Sequence, residues 1–190
     1  LSESGAFSHL ATEDRLKAME SCLATVHWPG RMQVFEKERI ILDVAHNPAG
    51  ARALRNGLDH FASPGYVFLV GCYRSKDLES MLRALITEKD CLIACDLNTK
   101  RKFFSREEIT ALAPLPASEI VEMSSVRKAL EFVVENQSFL KDRYLVVTGS
   151  FSTVKEALSF LDEKKIGSCG SSSAIKAGGL KKPVQTRVNF

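Results

Sequence analysis

The 190 residues, 45% of them hydrophobic, suit one domain of ordinary size with a real core plus a tail, or at most two very small domains. Lys and Arg number 26 against 23 Asp and Glu, and the net charge of +3 is too mild for a nucleic-acid binder. No apolar run reaches the ~18 residues of a membrane span, the first residues show no signal-peptide pattern, and five scattered cysteines (Cys22, Cys72, Cys91, Cys95, Cys169) suggest no disulfide framework, so a reducing, cytoplasmic setting is expected.

Thr12 caps an expected helix running to Thr25, with Leu16, Met19 and Leu23 at helical spacing. Trp28-Pro29-Gly30-Arg31 breaks it. Met32 to Phe35 and Ile40 to Asp43, separated by Glu36-Lys37-Glu38-Arg39, read as a hairpin leading into a buried strand. Pro48 opens a helix that continues from Ala49 to Phe61. After the Ser63-Pro64-Gly65 turn, Tyr66 to Val70 is a continuous apolar run of the kind buried on both faces. Next come a helix from Asp77 to Glu88 and a short strand from Cys91 to Cys95. Ser105 caps a helix from Arg106 to Ala113, and Glu108 closes a capping box. A helix from Ser125 to Gln137, a strand from Tyr144 to Thr148 and a helix from Ser152 to Leu161 follow.

Strands alternating with helices predict a Rossmann-like α/β fold: a mostly parallel sheet with helices on both faces and an N-terminal hairpin strand. The expected division is a linker and helix in 1–27, the α/β domain in 28–163, and a flexible tail rich in Ser, Gly and Lys in 164–190. The chain opens on Leu1 rather than Met, so a fragment of a longer protein is expected.

Open α/β sheets bind ligands outside the carboxyl ends of their strands. Four expected strands are followed by polar segments: Asp43 to Pro48, Gly71 to Asp77, Asp96 to Lys102, and Gly149 to Ser152. All four should open on one edge, where the site is expected. Asp43 can accept hydrogen bonds from ribose hydroxyls, while His46 and Asn47 precede a helix N-terminus that favours anions. Taken alone, capping of that helix by Asp43 or Asn47 is the simpler reading. Gly149 permits a tight turn, and Ser150 with the following amides suits a carboxylate or phosphate; an ordinary Ser cap reads at least as well. Lys76 stands where an ammonium meets a phosphate, or is merely solvated beside Asp77 at a helix start. Lys100-Arg101-Lys102 with Phe103-Phe104 is a weak nucleic-acid signal, equally a polar loop followed by two core aromatics. His9, His27 and His60 lack metal-like company. Cys91 and Cys95 share one face of a strand, as core residues do, and no metal is assigned to protein ligands. The chain contains no G-x-S-x-G elbow, no G-x-G-x-x-G and no G-x-x-x-x-G-K-[ST], and so no self-contained phosphate cradle.

As a set, Trp28-Pro29-Gly30-Arg31, Asp43-Val44-Ala45-His46-Asn47-Pro48, Lys76-Asp77 and Thr148-Gly149-Ser150 resemble the C-terminal domain of folylpolyglutamate synthases and bifunctional dihydrofolate synthases. In order and approximate spacing the resemblance covers about Leu16 to Leu161. The first two motifs are specific and the later two supportive. Mur ligases of peptidoglycan synthesis are wider relatives, so the fold implied is the Mur-ligase C-terminal type.

The resemblance implies an ATP-dependent acid–amino-acid ligase. ATP turns a carboxylate of dihydropteroate or a folyl glutamate into an acyl phosphate, and L-glutamate attacks to give an amide. It implies ATP and Mg²⁺, with the P-loop and metal ligands in an N-terminal domain, and hence an isolated domain that is inactive. Arg31, Asp43 and Asn47 are implied for ATP, His46 and Ser150 for glutamate with His46 as the catalytic residue, and Lys76, Asp77 and Gly149 in support. Neither nucleic acid nor membrane is an expected partner. One departure is Val44, where that family usually has Gly. The alternatives are a peptidoglycan-ligase C-terminal domain, against which Trp28-Pro29-Gly30-Arg31 argues, and a stand-alone binding module without chemistry.

Overall fold

The structure is a computed structural model and describes residues 13–14, 16–18 and 28–164. The chain divides into two units, Pro29–Ser172, and Leu1–Trp28 with Ser173–Phe190. In the second unit, residues 13–14 and 16–18 are helical, and Lys17 pairs with Glu13 one turn away at 3.3 Å. The rest of the expected 12–25 helix, the expected tail after Lys164, and His9, His27, Cys22 and Cys169 lie outside the described residues. Among the described residues no helix is long and apolar enough to cross a membrane.

The larger unit is built on six strands: β1 (Gln33–Phe35), β2 (Ile40–Leu42), β3 (Tyr66–Val70), β4 (Cys91–Cys95), β5 (Ile120–Met123) and β6 (Tyr144–Thr148). They form one sheet in the order β1-β2-β6-β3-β4-β5. The β1–β2 hairpin is antiparallel, with Phe35 opposite Ile40, and every other pair is parallel. Five helices complete the unit: α1 (Pro48–Leu58), α2 (Leu78–Leu85), α3 (Arg106–Leu112), α4 (Val126–Glu135) and α5 (Phe151–Glu163). The fold class expected from the strand–helix alternation is therefore the observed one.

The two-residue period of a strand divides the core. Ile40, Leu42, Val67, Leu69, Ile93, Cys95, Leu145 and Val147 face a buried cluster with Val126, Leu130, Val154 and Phe160 of α4 and α5. Their neighbours Ile41, Phe68, Val70, Leu92, Ala94 and Val146 face the opposite cluster, with Leu54 and Leu58 of α1, Met81 and Leu85 of α2, and Ile109 of α3. Both faces are covered, which is why β3, β4 and β6 read as unbroken apolar runs.

Several expected boundaries move. Strand β5 was not foreseen: Glu122 interrupts its four residues, and at the sheet edge they are only half-buried or exposed. Helix α1 stops at Leu58, short of Phe61. Helix α2 ends three residues before Glu88, because Ile86 turns to extended backbone and the Thr87–Asp90 turn follows. Helix α4 ends at Glu135 and passes into a 3₁₀ turn, Gln137–Leu140. Helix α5 starts one residue early, at Phe151, directly after its cap Ser150, and runs on to Glu163. The expected capping box is present in α3, with Ser105 accepting from the Glu108 amide and the Glu108 carboxylate accepting from the Ser105 amide.

Candidate functional site

Because β2, β3, β4 and β6 run parallel, the polar segments after them emerge on one sheet edge, as expected. Two of these segments are tied directly. The Gly149 amide donates to the Ala45 carbonyl at 3.1 Å, and the Thr148 hydroxyl donates to the same oxygen at 3.4 Å. The strand order that makes β2 and β6 neighbours thus brings residues 43–47 against residues 149–151.

Asp43 is 7% exposed, and its carboxylate braces two loops. One oxygen accepts from the Met32 amide at 3.0 Å and the other from the Ala45 amide at 2.8 Å. It does not cap α1; Asn47 does, accepting from the Gly50 amide at 2.8 Å with Pro48 as the first helical residue. Burial pushes the Asp43 carboxyl above its ordinary value of 3.8, while the Met32 and Ala45 amides and the Arg31 charge oppose the rise.

The brace holds Pro29 to Met32 across the end of β2. Gly30 adopts φ +72°, and its carbonyl accepts from the Val44 amide at 2.8 Å. A Cβ here would lie 2.8 Å from a Val154 methyl, so this position requires Gly for both conformation and space. Val44 belongs to the same buried cluster as Val154, so its side chain packs inward. Arg31 is exposed at this edge.

His46 is half-buried, and its Nδ1 lies 2.9 Å from the Val44 carbonyl oxygen. A carbonyl only accepts, so Nδ1 carries the hydrogen and Nε2 of the neutral ring is the acceptor. The imidazole tilts against Phe151 with ring centroids 5.7 Å apart. Phe151 is 59% exposed, and this partnership was not foreseen: the two residues lie over a hundred positions apart in sequence, and only the β2–β6 pairing joins them.

Gly149 adopts φ +102°, and a Cβ on it would meet the Gly71 carbonyl oxygen at 2.7 Å. Ser150 is buried, and its hydroxyl is already occupied. It accepts from the Thr153 amide at 3.1 Å and lies 2.7 Å from the Thr153 hydroxyl. The Thr153 hydroxyl donates to the Gly71 carbonyl at 2.7 Å, which leaves Ser150 as donor in their shared bond. Ser150 is therefore a helix cap here, and the anion-favouring groups at this spot are the first backbone N–H groups of α5. Ser150→Ala should cost about 1 kcal/mol, measured as a lower urea midpoint; an unchanged midpoint would deny the cap.

Lys76 and Asp77 stand farther along the same edge. Asp77 caps α2 through the Ser80 amide at 3.1 Å, and Lys76 is half-buried in a turn closed onto the Tyr73 carbonyl at 3.1 Å. A hydrogen bond between the hydroxyls of Tyr73 and Ser152 links this loop to the start of α5. Nothing in the local sequence of either residue signals that link. Phe103 and Phe104 are half-buried and pack against opposite faces of the sheet, so the aromatic pair of the basic segment is structural. Of the residues expected at the site, Arg31, Asp43, His46, Asn47, Gly149 and Ser150 converge at the β2–β6 end, with Lys76 and Asp77 beside them after β3.

A mostly parallel sheet with one antiparallel edge strand, carrying helix N-termini and polar loops at its carboxyl edge, defines an α/β domain of the doubly wound class. Residues 30–151 match the family described as Mur ligase, glutamate ligase domain, and the chain belongs to that family. The dihydrofolate synthase/folylpolyglutamate synthase of Buchnera aphidicola subsp. Baizongia pistaciae is 33% identical over 150 residues, 78% of this chain and 34% of that protein. Folylpolyglutamate synthase of Mycobacterium tuberculosis complexed with ADP and AMPPCP superposes with a TM-score of 0.67 at 24% identity, over 75% of this chain and 34% of that one, a likeness of fold. A bifunctional folylpolyglutamate synthase/dihydrofolate synthase from Yersinia pestis, complexed with AMPPNP and Mn ion, gives a TM-score of 0.59 at 28% identity, over 73% of this chain and 32% of that one. The chain spans about a third of the length of the curated relatives it matches.

Proposed function

We propose that residues 28–163 act as the C-terminal domain of a cytoplasmic, ATP-dependent ligase that adds L-glutamate to dihydropteroate, to folylpolyglutamate, or to both. In that reaction the acceptor carboxylate takes the γ-phosphoryl group of ATP, and the glutamate amine then displaces phosphate to form the amide. A P-loop domain N-terminal to this one supplies the phosphate cradle and the Mg²⁺ ligands. Among the described residues no three His, Cys, Asp or Glu side chains gather to hold a metal.

The observation that carries the reading is the junction of the β2 and β6 loops. There the His46 ring lies 5.7 Å from that of Phe151, the first residue of α5, which supports reading the pair as a base next to an anion-favouring helix end. The helix N-terminus suits a glutamate carboxylate, with Ser150 and Gly149 shaping the turn, and His46 Nε2 suits the amine. Arg31 supplies a fixed positive charge for the ATP phosphates. Both Asp43 oxygens already accept backbone N–H groups, so Asp43 serves ATP chiefly by holding the loop that carries Arg31. Asn47 shapes the same edge as the cap of α1.

A ligation assay on the complete protein with pteroate, folate and muramyl acceptors tests this reading. Glutamate addition to a pteroate or folate acceptor is expected; addition to the muramyl acceptor alone would move the protein to the peptidoglycan branch, and ligand binding without ligation would make it a binding module. Arg31→Ala should raise the KM for ATP roughly tenfold, the worth of one charge-assisted contact. His46→Ala should lower kcat roughly a hundredfold, the usual scale for losing a proton acceptor. Wild-type kinetics in either variant would remove that residue from the site. The 190-residue chain alone should not turn over, and measurable ligation by it would sink the requirement for a second domain.

A further inference from the structure

Beside the His46 site lies a pocket of about 490 Å³ lined by Tyr73, Arg74, Ser75, Lys76, Arg101 and Lys102. It joins the loops after β3 and β4, through a hydrogen bond from the Arg74 amide to the Lys102 carbonyl at 3.1 Å. Its four cations are unequally matched. Arg74 is paired with Glu108, whereas Lys76, Arg101 and Lys102 form no salt bridge among the described residues. Asp77, the acid next to Lys76, is turned to the α2 cap, and Asp96 is held by Arg106 at 3.0 Å. Tyr73 supplies one wall, with the Arg101 guanidinium 5.8 Å from its ring centroid. The same Tyr73 hydroxyl bonds Ser152 on the first turn of α5, so one wall of the pocket touches the helix start proposed to hold glutamate.

Three uncompensated cations around one cavity call for a ligand with several negative charges along its length. We propose that this pocket binds the oligoglutamate tail of the acceptor, a flexible peptide with one carboxylate for each glutamate already added. The proposal rests on the ligase reading above and extends it. Each cycle of such a ligase lengthens its acceptor by one anionic residue, and a basic pocket next to the point of addition holds the part already made. Lys76 lies nearest the α2 cap, and Arg101 and Lys102 take the carboxylates of earlier residues. Such contacts are exposed ion pairs, individually weak and sensitive to salt.

Two measurements separate this proposal from the ligase reading. In the first, tri-γ-glutamate is titrated into the isotope-labelled 190-residue chain and followed by amide NMR shifts. Shifts are expected at Tyr73 to Lys76 and at Arg101 and Lys102, weakening as NaCl rises. The double variant Arg101→Gln/Lys102→Gln should bind roughly tenfold more weakly, the factor for two lost exposed charge pairs, with its melting temperature unchanged. Unaltered affinity in the variant, shifts confined to other residues, or displacement of the peptide from this pocket by ATP would overturn the proposal. In the second, the complete enzyme carrying the same variant should show a roughly tenfold higher KM for a folate bearing three glutamates, with kcat and the KM for the monoglutamate unchanged. Equal effects on both acceptors would overturn it. A wild-type enzyme that turns over neither acceptor would instead sink the ligase reading, while the binding measurement still judges the pocket.

Discussion

Replacing Asp90 by Ala should unfold this domain more readily than any surface change, by about 3–5 kcal/mol, the usual cost of stripping one partner from a buried ion pair. Asp90 is 1% exposed and collects four bonds. One oxygen accepts from the Tyr66 amide at 2.8 Å. The other accepts from the Thr87 amide and hydroxyl, both at 2.8 Å, and from the Arg55 guanidinium at 2.9 Å. The carboxylate therefore joins the start of β3, the turn before β4 and helix α1. Without it, Arg55 keeps its exposed partner Asp59 at 3.4 Å, the Leu85 carbonyl at 3.3 Å and the face of the Tyr66 ring at 5.4 Å, and two N–H groups lose their acceptor. Urea denaturation measures the loss, and a change below about 1 kcal/mol, the level of a surface pair, would contradict it. Asp90 stands at the amino edge of the sheet, opposite the candidate site. Under mild conditions the variant's ligand affinities should match the wild type.

Asp43→Ala should strike both stability and turnover. Two backbone N–H groups, on Met32 and Ala45, lose their acceptor, at about 1–3 kcal/mol each. Relief from burying a carboxylate offsets part of that, leaving a net loss of about 2–4 kcal/mol. Freed of the brace, the Gly30–Met32 loop no longer presents Arg31 at the β2 end. The complete enzyme should then lose roughly a hundredfold in kcat/KM for ATP, the scale of a small misplacement of a binding group. Full ATP kinetics from a folded Asp43→Ala enzyme would refute the bracing role. The pH dependence has a definite sign. Burial raises the folded carboxyl above its ordinary 3.8, so the folded protein holds this proton more readily than the unfolded chain. The contribution is then greatest below that value and is lost as pH rises through the folded one. Compared with Asp43→Asn, which has no such proton, the wild type should gain relative stability as pH falls from neutrality. A wild type that loses stability relative to Asp43→Asn on acidification would contradict the sign.

Much of the layout was legible because its signals are local. Unbroken apolar runs at Tyr66–Val70, Cys91–Cys95 and Tyr144–Thr148 announced strands covered on both faces, and those strands are present. Ser105 with Glu108 announced a helix start within four residues. At Asn47, Asp77 and Ser150, ligand group and helix cap were competing readings of one residue, and the structure shows all three side chains capping. The motif set Arg31, Asp43 and His46 falls at one end of the β2–β6 pair, but its residues' partners were not readable from the motifs. Strand β5 escaped because a four-residue edge strand with Glu122 in it carries no continuous apolar signal.

Alternation and caps, acting over a few residues, determined from the sequence alone that this is a mostly parallel α/β domain with polar loops at one edge. Which loops meet was decided only by the strand order, which sets β6 between β2 and β3. That insertion joins Ala45 to Gly149, tilts His46 against Phe151 and bonds Tyr73 to Ser152. Each of these contacts spans roughly 80 to 100 residues of chain. A side chain's hydrogen-bonding capacity is written in its own identity; its partner across such a distance is fixed only when the two faces of the sheet are buried together.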